Sequence, residues 1–204
     1  MISNCVPMSW PNQSAVDSMI AQSDIPKNAE LFTAHLGSTK DTSDNSSFYT
    51  FGFIDDATLK ANNATEPTYA PVDNSQGFWQ VPSESYSING KAVARSGNTA
   101  IMDTGTTLAL VDDDVCKAIY DAIPGASYDS SAQGYIIPST TKPSDIPVIG
   151  FNIGDKEFTL HQDDLLYADV GNGSYYGGIQ SRGDLTFDIL GDTMFKAIYA
   201  VSFR

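Results

Sequence analysis

The sequence predicts a mostly β protein. Short runs rich in aromatic and β-branched residues recur along the chain, each bounded by Gly, Pro, Asn, Asp or Ser. Asn89-Gly90 stands between two extended runs, which is a strong local signal for a tight hairpin. One segment, 112–123, has clear helical periodicity, and strands do not alternate with helices as a parallel α/β fold requires.

Taken in order, residues 1–13 read as an irregular N-terminal segment containing Pro7 and Pro11, and residues 14–204 as one domain. Ala15, Val16, Met19 and Ile20 fall at helical spacing, with Ser14 as the cap and Pro26 as the stop. Residues 31–37 and 47–54 read as strands of a hairpin with a long polar loop between them. Residues 55–75 are mixed and turn-rich, and 77–81 are extended. The Asn89-Gly90 hairpin occupies 85–93, and 99–110 reads as strand, tight turn, strand. The helix at 112–123 starts with acids, which suit the positive end of its dipole, and stops at Pro124-Gly125. Residues 134–138 form a short strand, and 148–160 a hairpin turning at Gly154-Asp155. Residues 175–179 and 185–192 are strands, the second running into a Gly turn. A short helix at 193–197 leads to a final strand at 197–203. So many strands with so few helices imply a barrel-like or sandwich-like packing.

Composition excludes several functions. The 204 residues hold 25 acids against 11 Lys plus Arg, a formal net charge of −14. Phosphate binding needs clustered cations, so nucleic acid is not an expected partner. No apolar run approaches the roughly 18 residues of a membrane-crossing helix, so no membrane is expected either. The first residues lack the basic and apolar regions of a signal peptide, whereas N-x-Ser/Thr triplets at Asn12, Asn45, Asn63 and Asn172 agree with secretion. Cys5 and Cys116 are far apart, and their spacing is no evidence of pairing. His35 and His161 are isolated and read as ordinary surface or core residues, so no metal site is expected.

The stretch from Thr99 to Leu110 is organised around one acid. Asp103 follows Ile101 and Met102 and precedes Leu108, Ala109 and Leu110. A carboxylate so close to apolar surface needs hydrogen-bond partners. Thr104, Thr106 and Thr107 supply hydroxyls, and Gly105 permits a tight turn with its N–H nearby. Two chemistries suit such an acid. A phosphate acceptor belongs to α/β domains and needs Mg²⁺ ligands; this chain lacks the alternating βα pattern, and no Lys follows Asp103 closely. A general acid–base carboxylate fits better, working with a second acid that shares its proton to activate water against a peptide carbonyl.

The segment Ala100-Ile101-Met102-Asp103-Thr104-Gly105-Thr106-Thr107 resembles the second active-site motif of pepsin-family aspartic endopeptidases. Ile189-Leu190-Gly191-Asp192 resembles the apolar-apolar-Gly segment that crosses that loop in the same lobe. Matches at 51–55, 77–80, 134–138 and 176–181 follow in order, and the likeness is strongest to fungal secreted members. The resemblance implies the C-terminal lobe of a two-lobed acid protease that hydrolyses internal peptide bonds at acid pH, without a cofactor or metal. It implies that Asp103 is one of two catalytic acids, that Thr104 joins a hydrogen-bonded pair locking two active-site loops, and that Gly105 lies beside the substrate backbone. Thr106 and Thr107 then support the carboxylate or contact substrate. Ile101 and Ile189 match positions near a substrate pocket, although plain core is the simpler role for both.

The departures shape the expectations. One Asp-Thr-Gly occurs, and no second Asp-Thr/Ser-Gly is present. The N-terminal lobe with its flap is therefore the expected partner, besides a peptide substrate, and the chain alone is expected to be inactive. A bridge from the position of Cys116 to one near Pro138 is implied by many family members, but this region reads Pro138-Ser139-Thr140. The chain stops where the family has one more strand. The alternatives are a homodimer giving two Asp turns, a non-catalytic binding or inhibitory module, and a truncated gene product. Family likeness implies a secreted, extracellular or vacuolar location.

Overall fold

A computed structural model describes residues 2–3, 15–40 and 46–203. Within them, the strands form four sheets. The outermost runs Phe48–Phe51, Leu31–His35, Tyr199–Phe203, Ile2–Ser3, Ala70–Pro71. Its first three strands are antiparallel, with Ala34 opposite both Tyr49 and Ala200, so the predicted hairpin and final strand lie side by side. Thr33, Thr50 and Tyr199 join hydroxyls beneath this sheet, with Oγ1–Oγ1 2.6 Å and Oη–Oγ1 3.1 Å. His35 packs against the rings of Phe48 and Tyr199, at 5.2 and 6.1 Å between centroids, and so takes a packing role.

Two four-stranded antiparallel sheets carry the hairpins. One runs Lys156–Thr159, Ile149–Ile153, Ser85–Ile88, Lys91–Ala94. Its turns sit where the sequence puts them. Ile88 pairs with Lys91 across Asn89 and Gly90, both at positive φ (51° and 75°), as a type I′ turn demands. Ile153 pairs with Lys156 across Gly154-Asp155. The other sheet runs Ser127–Asp129, Gly134–Pro138, Ser174–Gly177, Leu166–Gly171.

The fourth sheet organises the molecule. Its order is Ile179–Ser181, Ala109–Val111, Asp188–Leu190, Thr99–Met102, Gln80–Pro82. Alternation puts Ala100, Met102, Ala109, Val111 and Leu190 into the main core, with Val81 and Ile179. The helix Asp113–Asp121 covers that core with Val115, Cys116, Ile119 and Tyr120. Asp112 caps it, accepting from the Val115 N–H at 3.0 Å. The Tyr120 hydroxyl donates to the Ile179 carbonyl at 2.5 Å, tying helix to sheet.

Several boundaries differ from expectation. Residues 55–75 hold a helix, Asp56–Ala61, capped by the Asp55 carboxylate, and it buries no side chain. Helix detection by apolar periodicity has nothing to detect there; the cap is its signal. Residues 175–179 are not one strand. Ser174–Gly177 belongs to one sheet and Ile179–Ser181 to another, and a Cβ at the intervening Gly178 would meet the Asp164 carbonyl at 2.6 Å. The expected strands at 77–81 and 185–192 are confined to Gln80–Pro82 and Asp188–Leu190, and the short helix is Asp192–Phe195. The helix near the N-terminus is Ala15–Ala21. Its expected cap Ser14, the irregular segment apart from Ile2–Ser3, Cys5, and the acceptors Asn12 and Asn45 lie outside the described residues.

Candidate active site

The Asp103 loop owes its shape to a crossing. Thr99–Met102 leads into the loop and Ala109–Val111 leads out, yet these two strands do not pair with each other. Asp188–Leu190 passes between them, parallel to the first and antiparallel to the second. Ile189 therefore lies opposite both Ile101 and Leu110. The chain continuing past Leu190 then fastens the loop from below. The Leu190 carbonyl accepts from the Asp103 N–H at 3.2 Å, and the Gly191 N–H donates to the Leu108 carbonyl at 3.2 Å. The Asp192 and Thr193 N–H groups donate to the Thr106 and Thr107 carbonyls at 2.8 and 3.1 Å. Only glycine fits at 191, because a Cβ there would stand 2.0 Å from the Thr106 carbonyl oxygen.

This scaffold fixes one carboxylate. Asp103 is half-buried at the mouth of the loop. Its Oδ1 accepts from the Gly105 N–H at 2.9 Å, and its Oδ2 accepts from the Thr106 hydroxyl at 2.7 Å. The Thr106 N–H closes the turn onto the Asp103 carbonyl at 3.2 Å. One donor sits on each oxygen, which leaves further lone pairs on both for other groups. A carboxylate held this way has its orientation set before anything binds, as proton transfer at a reacting group requires.

The other sequence-predicted residues fall into two groups. Thr104, Gly105 and Thr107 are exposed on the loop. The Thr104 hydroxyl makes no hydrogen bond among the described residues. The Thr107 carbonyl accepts from both the N–H and the hydroxyl of Thr193, the latter at 3.2 Å. Ile101 and Ile189 are register partners on the face of the sheet turned away from the main core. Ile101 is 6% exposed and Ile189 is half-buried. Together with half-buried Leu110 they form an apolar row beside the acid.

Sequence reasoning passed over Asp192. Burial pushes its carboxyl above the ordinary range, Lys196 one turn later pulls it back, and the charge of Asp103 pushes it further up. The signal was its place directly after Gly191, the residue pinned against the loop. Among the described residues, no group of three or more His, Cys, Asp or Glu side chains is placed to hold a metal ion. His161 is exposed. Cys116 is a free, buried thiol pushed up to about 12 by burial, and so is inert as a nucleophile.

Behind the loop lies a buried ion-pair cluster. Asp188, fully buried at the far end of the crossing strand, meets Arg95 at 2.6 Å and Arg182 at 2.7 Å. Asn98 donates to it at 3.1 Å, and Arg95 also reaches Asp112 at 3.3 Å. A cleft of about 610 Å³ opens here, lined by Tyr86, Arg95, Asp112 and Arg182 among others. It lies at the opposite end of the strands from Asp103, so cavity size does not mark the site.

Residues 6–203 match the family model of eukaryotic aspartyl proteases. The chain is 42% identical over 153 residues to aspergillopepsin-1 of Aspergillus pseudoglaucus, covering 75% of this chain and 37% of that protein. Penicillopepsin-1 of Talaromyces stipitatus gives the same identity and coverage. Aspergillopepsin-1 of Aspergillus fumigatus is 34% identical over 193 residues, 94% of this chain and 45% of that protein. The chain thus spans less than half the length of these curated relatives.

Proposed function

Because the chain belongs to the eukaryotic aspartyl protease family, we propose that it is the half of an aspartic endopeptidase that carries one catalytic acid, Asp103. The observation behind this reading is the Asp103 carboxylate, held by the Gly105 N–H and the Thr106 hydroxyl at the mouth of a crossed loop. A second carboxylate comes from an N-terminal lobe with its own Asp turn. Two carboxylates at contact share one proton, since both cannot be charged there. The charged one takes a proton from a water held between them as that water attacks the scissile carbonyl. The protonated one gives its proton to the carbonyl oxygen as charge develops there. No metal is needed, because the dyad itself activates the water.

The remaining loop residues take roles around that step. Thr104 is exposed, and its hydroxyl pairs with the matching loop of the partner. Gly105 leaves room for the substrate backbone. Thr107, Ile101 and Ile189 line the substrate side, where exposed hydroxyl and apolar row lie next to the acid. The enzyme works outside the cell or in the vacuole. The N-x-Ser/Thr triplets support passage through the secretory route that leads to both.

The test is complementation. The chain refolded alone is expected not to cleave a denatured protein at acid pH. Refolded with the N-terminal half of a fungal relative, it is expected to gain cleavage that pepstatin blocks and that Asp103→Asn abolishes. Pepstatin-sensitive cleavage by the chain alone would refute the half-site reading and favour a homodimer. Full complementation by the Asp103→Asn chain would refute the role of Asp103.

A further inference from the structure

Two of the N-x-Ser/Thr triplets fall on described residues, and both occupy exposed turns. Asn63-Ala64-Thr65 follows the helix Asp56–Ala61, with Asn63 at φ 54° and its N–H on the Lys60 carbonyl at 3.0 Å. Asn172-Gly173-Ser174 forms the tip of the hairpin joining Leu166–Gly171 to Ser174–Gly177. Gly171 pairs with Ser174, so Asn172 and Gly173 are its two-residue turn, at φ 54° and 74°. Asn172 is exposed, and its carboxamide has no hydrogen bond among the described residues. The position holds the chain in a left-handed conformation that Asn tolerates well.

The surroundings of the two differ. Asn172 lines a cleft of about 230 Å³, whose walls include Ile136, Val170, Tyr176, Ser131 and Asp129. Ile136 and Tyr176 are register partners that give a small apolar patch to a cleft whose lining is mostly polar. Val170 sits where the register slips between Asp169 and Gly171, and it is 43% exposed. Ser131 and Asp129 place polar groups at the rim, in a turn closed by the Ser131 hydroxyl on Asp129 at 2.5 Å. A mostly polar cleft with a small apolar patch suits the several hydroxyls and the one apolar face of a sugar ring. Asn63 lines neither this cleft nor the larger one near Arg95.

We infer that Asn172 is an N-glycan acceptor whose first sugar seats in this cleft, whereas a glycan at Asn63 projects into solvent. The inference rests on the proposed secretory route. The sugar donor is an oligosaccharide linked through its anomeric carbon to a lipid diphosphate. The Asn172 amide nitrogen forms the bond to that carbon and loses one proton. The carbon–oxygen bond to the diphosphate breaks, and the diphosphate leaves with the electron pair. Seating then hides Val170 and the Ile136–Tyr176 patch from water, which stabilises the hairpin.

The experiment expresses the full chain behind a secretion leader in a glycosylating eukaryotic host and maps occupancy by peptide mass spectrometry. Asn172 is expected to carry a glycan that Ser174→Ala removes. A bare Asn172 with Asn63 occupied overturns the inference and leaves the secretory reading intact. A chain that is secreted but carries no glycan anywhere overturns the assignment at Asn172 and at Asn63 alike. Seating is tested by trimming. An endoglycosidase that leaves one sugar on the protein is expected to leave the unfolding midpoint unchanged. Ser174→Ala, which leaves Asn172 bare, is expected to raise the unfolding equilibrium constant about two- to threefold. Thr65→Ala, which strips Asn63 alone, is expected to leave it unchanged. Equal effects of Ser174→Ala and Thr65→Ala, or a loss on trimming to one sugar, overturn the seated sugar.

Discussion

Replacing Arg182 by Met tests whether the ion-pair cluster behind the site holds the crossing strand in place. Arg182 donates to the Asp188 carboxylate at 2.7 Å and to the Asn98 side chain at 2.9 Å. Its side chain is 14% exposed and that of Asp188 is fully buried, so water screens the pair little. Met keeps most of the apolar stem and removes the charge. Asp188 then retains Arg95 at 2.6 Å and Asn98 at 3.1 Å. Breaking a buried pair by removing one partner costs about 3–5 kcal/mol. With a second guanidinium still in place, the lower end, about 3 kcal/mol at neutral pH, is expected. For a chain of this size that is a fall of about 6–12 °C in Tm.

The sign of the pH dependence follows from Asp188. Burial already pushes its carboxyl above the ordinary range, while Arg95, Arg182 and Asn98 hold it down. Removing Arg182 releases part of that restraint, so the folded-state pKa rises further above the unfolded value. A raised carboxyl contributes stability below the unfolded pKa, about 4, and loses it as pH rises through the folded pKa. The cost of Arg182→Met is therefore small at acid pH, where Asp188 takes a proton, and grows towards neutrality. Urea unfolding across that range measures it. Adding Asp188→Asn to Arg182→Met should remove the pH dependence of the loss, because the group that titrates is then gone. A loss below about 0.5 kcal/mol at neutral pH, a loss independent of pH in the single variant, or a pH dependence that survives in the double variant would refute the reasoning.

Four further outcomes follow from the same structure. Thr106→Val removes the hydroxyl donor to Asp103 Oδ2 and should lower kcat/KM of the complemented enzyme by about 10–100-fold, with the unfolding midpoint moved little. Gly191→Ala should abolish folding, read as loss of soluble protein and of near-ultraviolet dichroism, because its Cβ meets two loop carbonyls at 2.0 and 2.5 Å. Asp192→Asn should flatten the decline in stability as pH rises above the ordinary Asp range. The raised Asp192 carboxyl favours the fold when protonated and loses that contribution as it ionises. The peptide holding Cys116 should stay unlabelled by a thiol reagent at mildly basic pH and become labelled in denaturant, since burial pushes that thiol up to about 12.

How much of this was legible in the sequence depended on how local each feature is. The hairpin at Asn89-Gly90 and the helix capped by Asp112 carry their signals within a few residues, and both stand where they were read. The helix Asp56–Ala61 was missed because it buries nothing and so lacks an apolar period. The break at Gly178 was missed because its cause, the Asp164 carbonyl, comes from a distant part of the chain. The site divides in the same way. The Asp103 turn, with Gly105 and Thr106 as donors, is readable from six residues. Asp192 and the Arg95–Asp188–Arg182 cluster are not, because their contacts span 84 or more positions in some cases, as from Asn98 to Arg182.

One short strand connects these distant features, and this makes the site more than a loop. Asp188 at its start is fixed by the guanidiniums of Arg95 and Arg182, and Leu190 at its end accepts from the Asp103 N–H. Between them, Ile189 places its side chain against Ile101 in the apolar row beside the acid. A strand of three residues has few ladder bonds of its own, so its position along the Thr99–Met102 strand must be held from outside. The ion pairs hold the start, and the Gly191 contact with the loop carbonyls holds the end. A slip by one residue would turn Asp188 out of its cluster and Ile189 into the core, so both anchors select the same register. The orientation of Asp103 is therefore set jointly by its own turn and by an ion-pair cluster at the opposite end of the sheet.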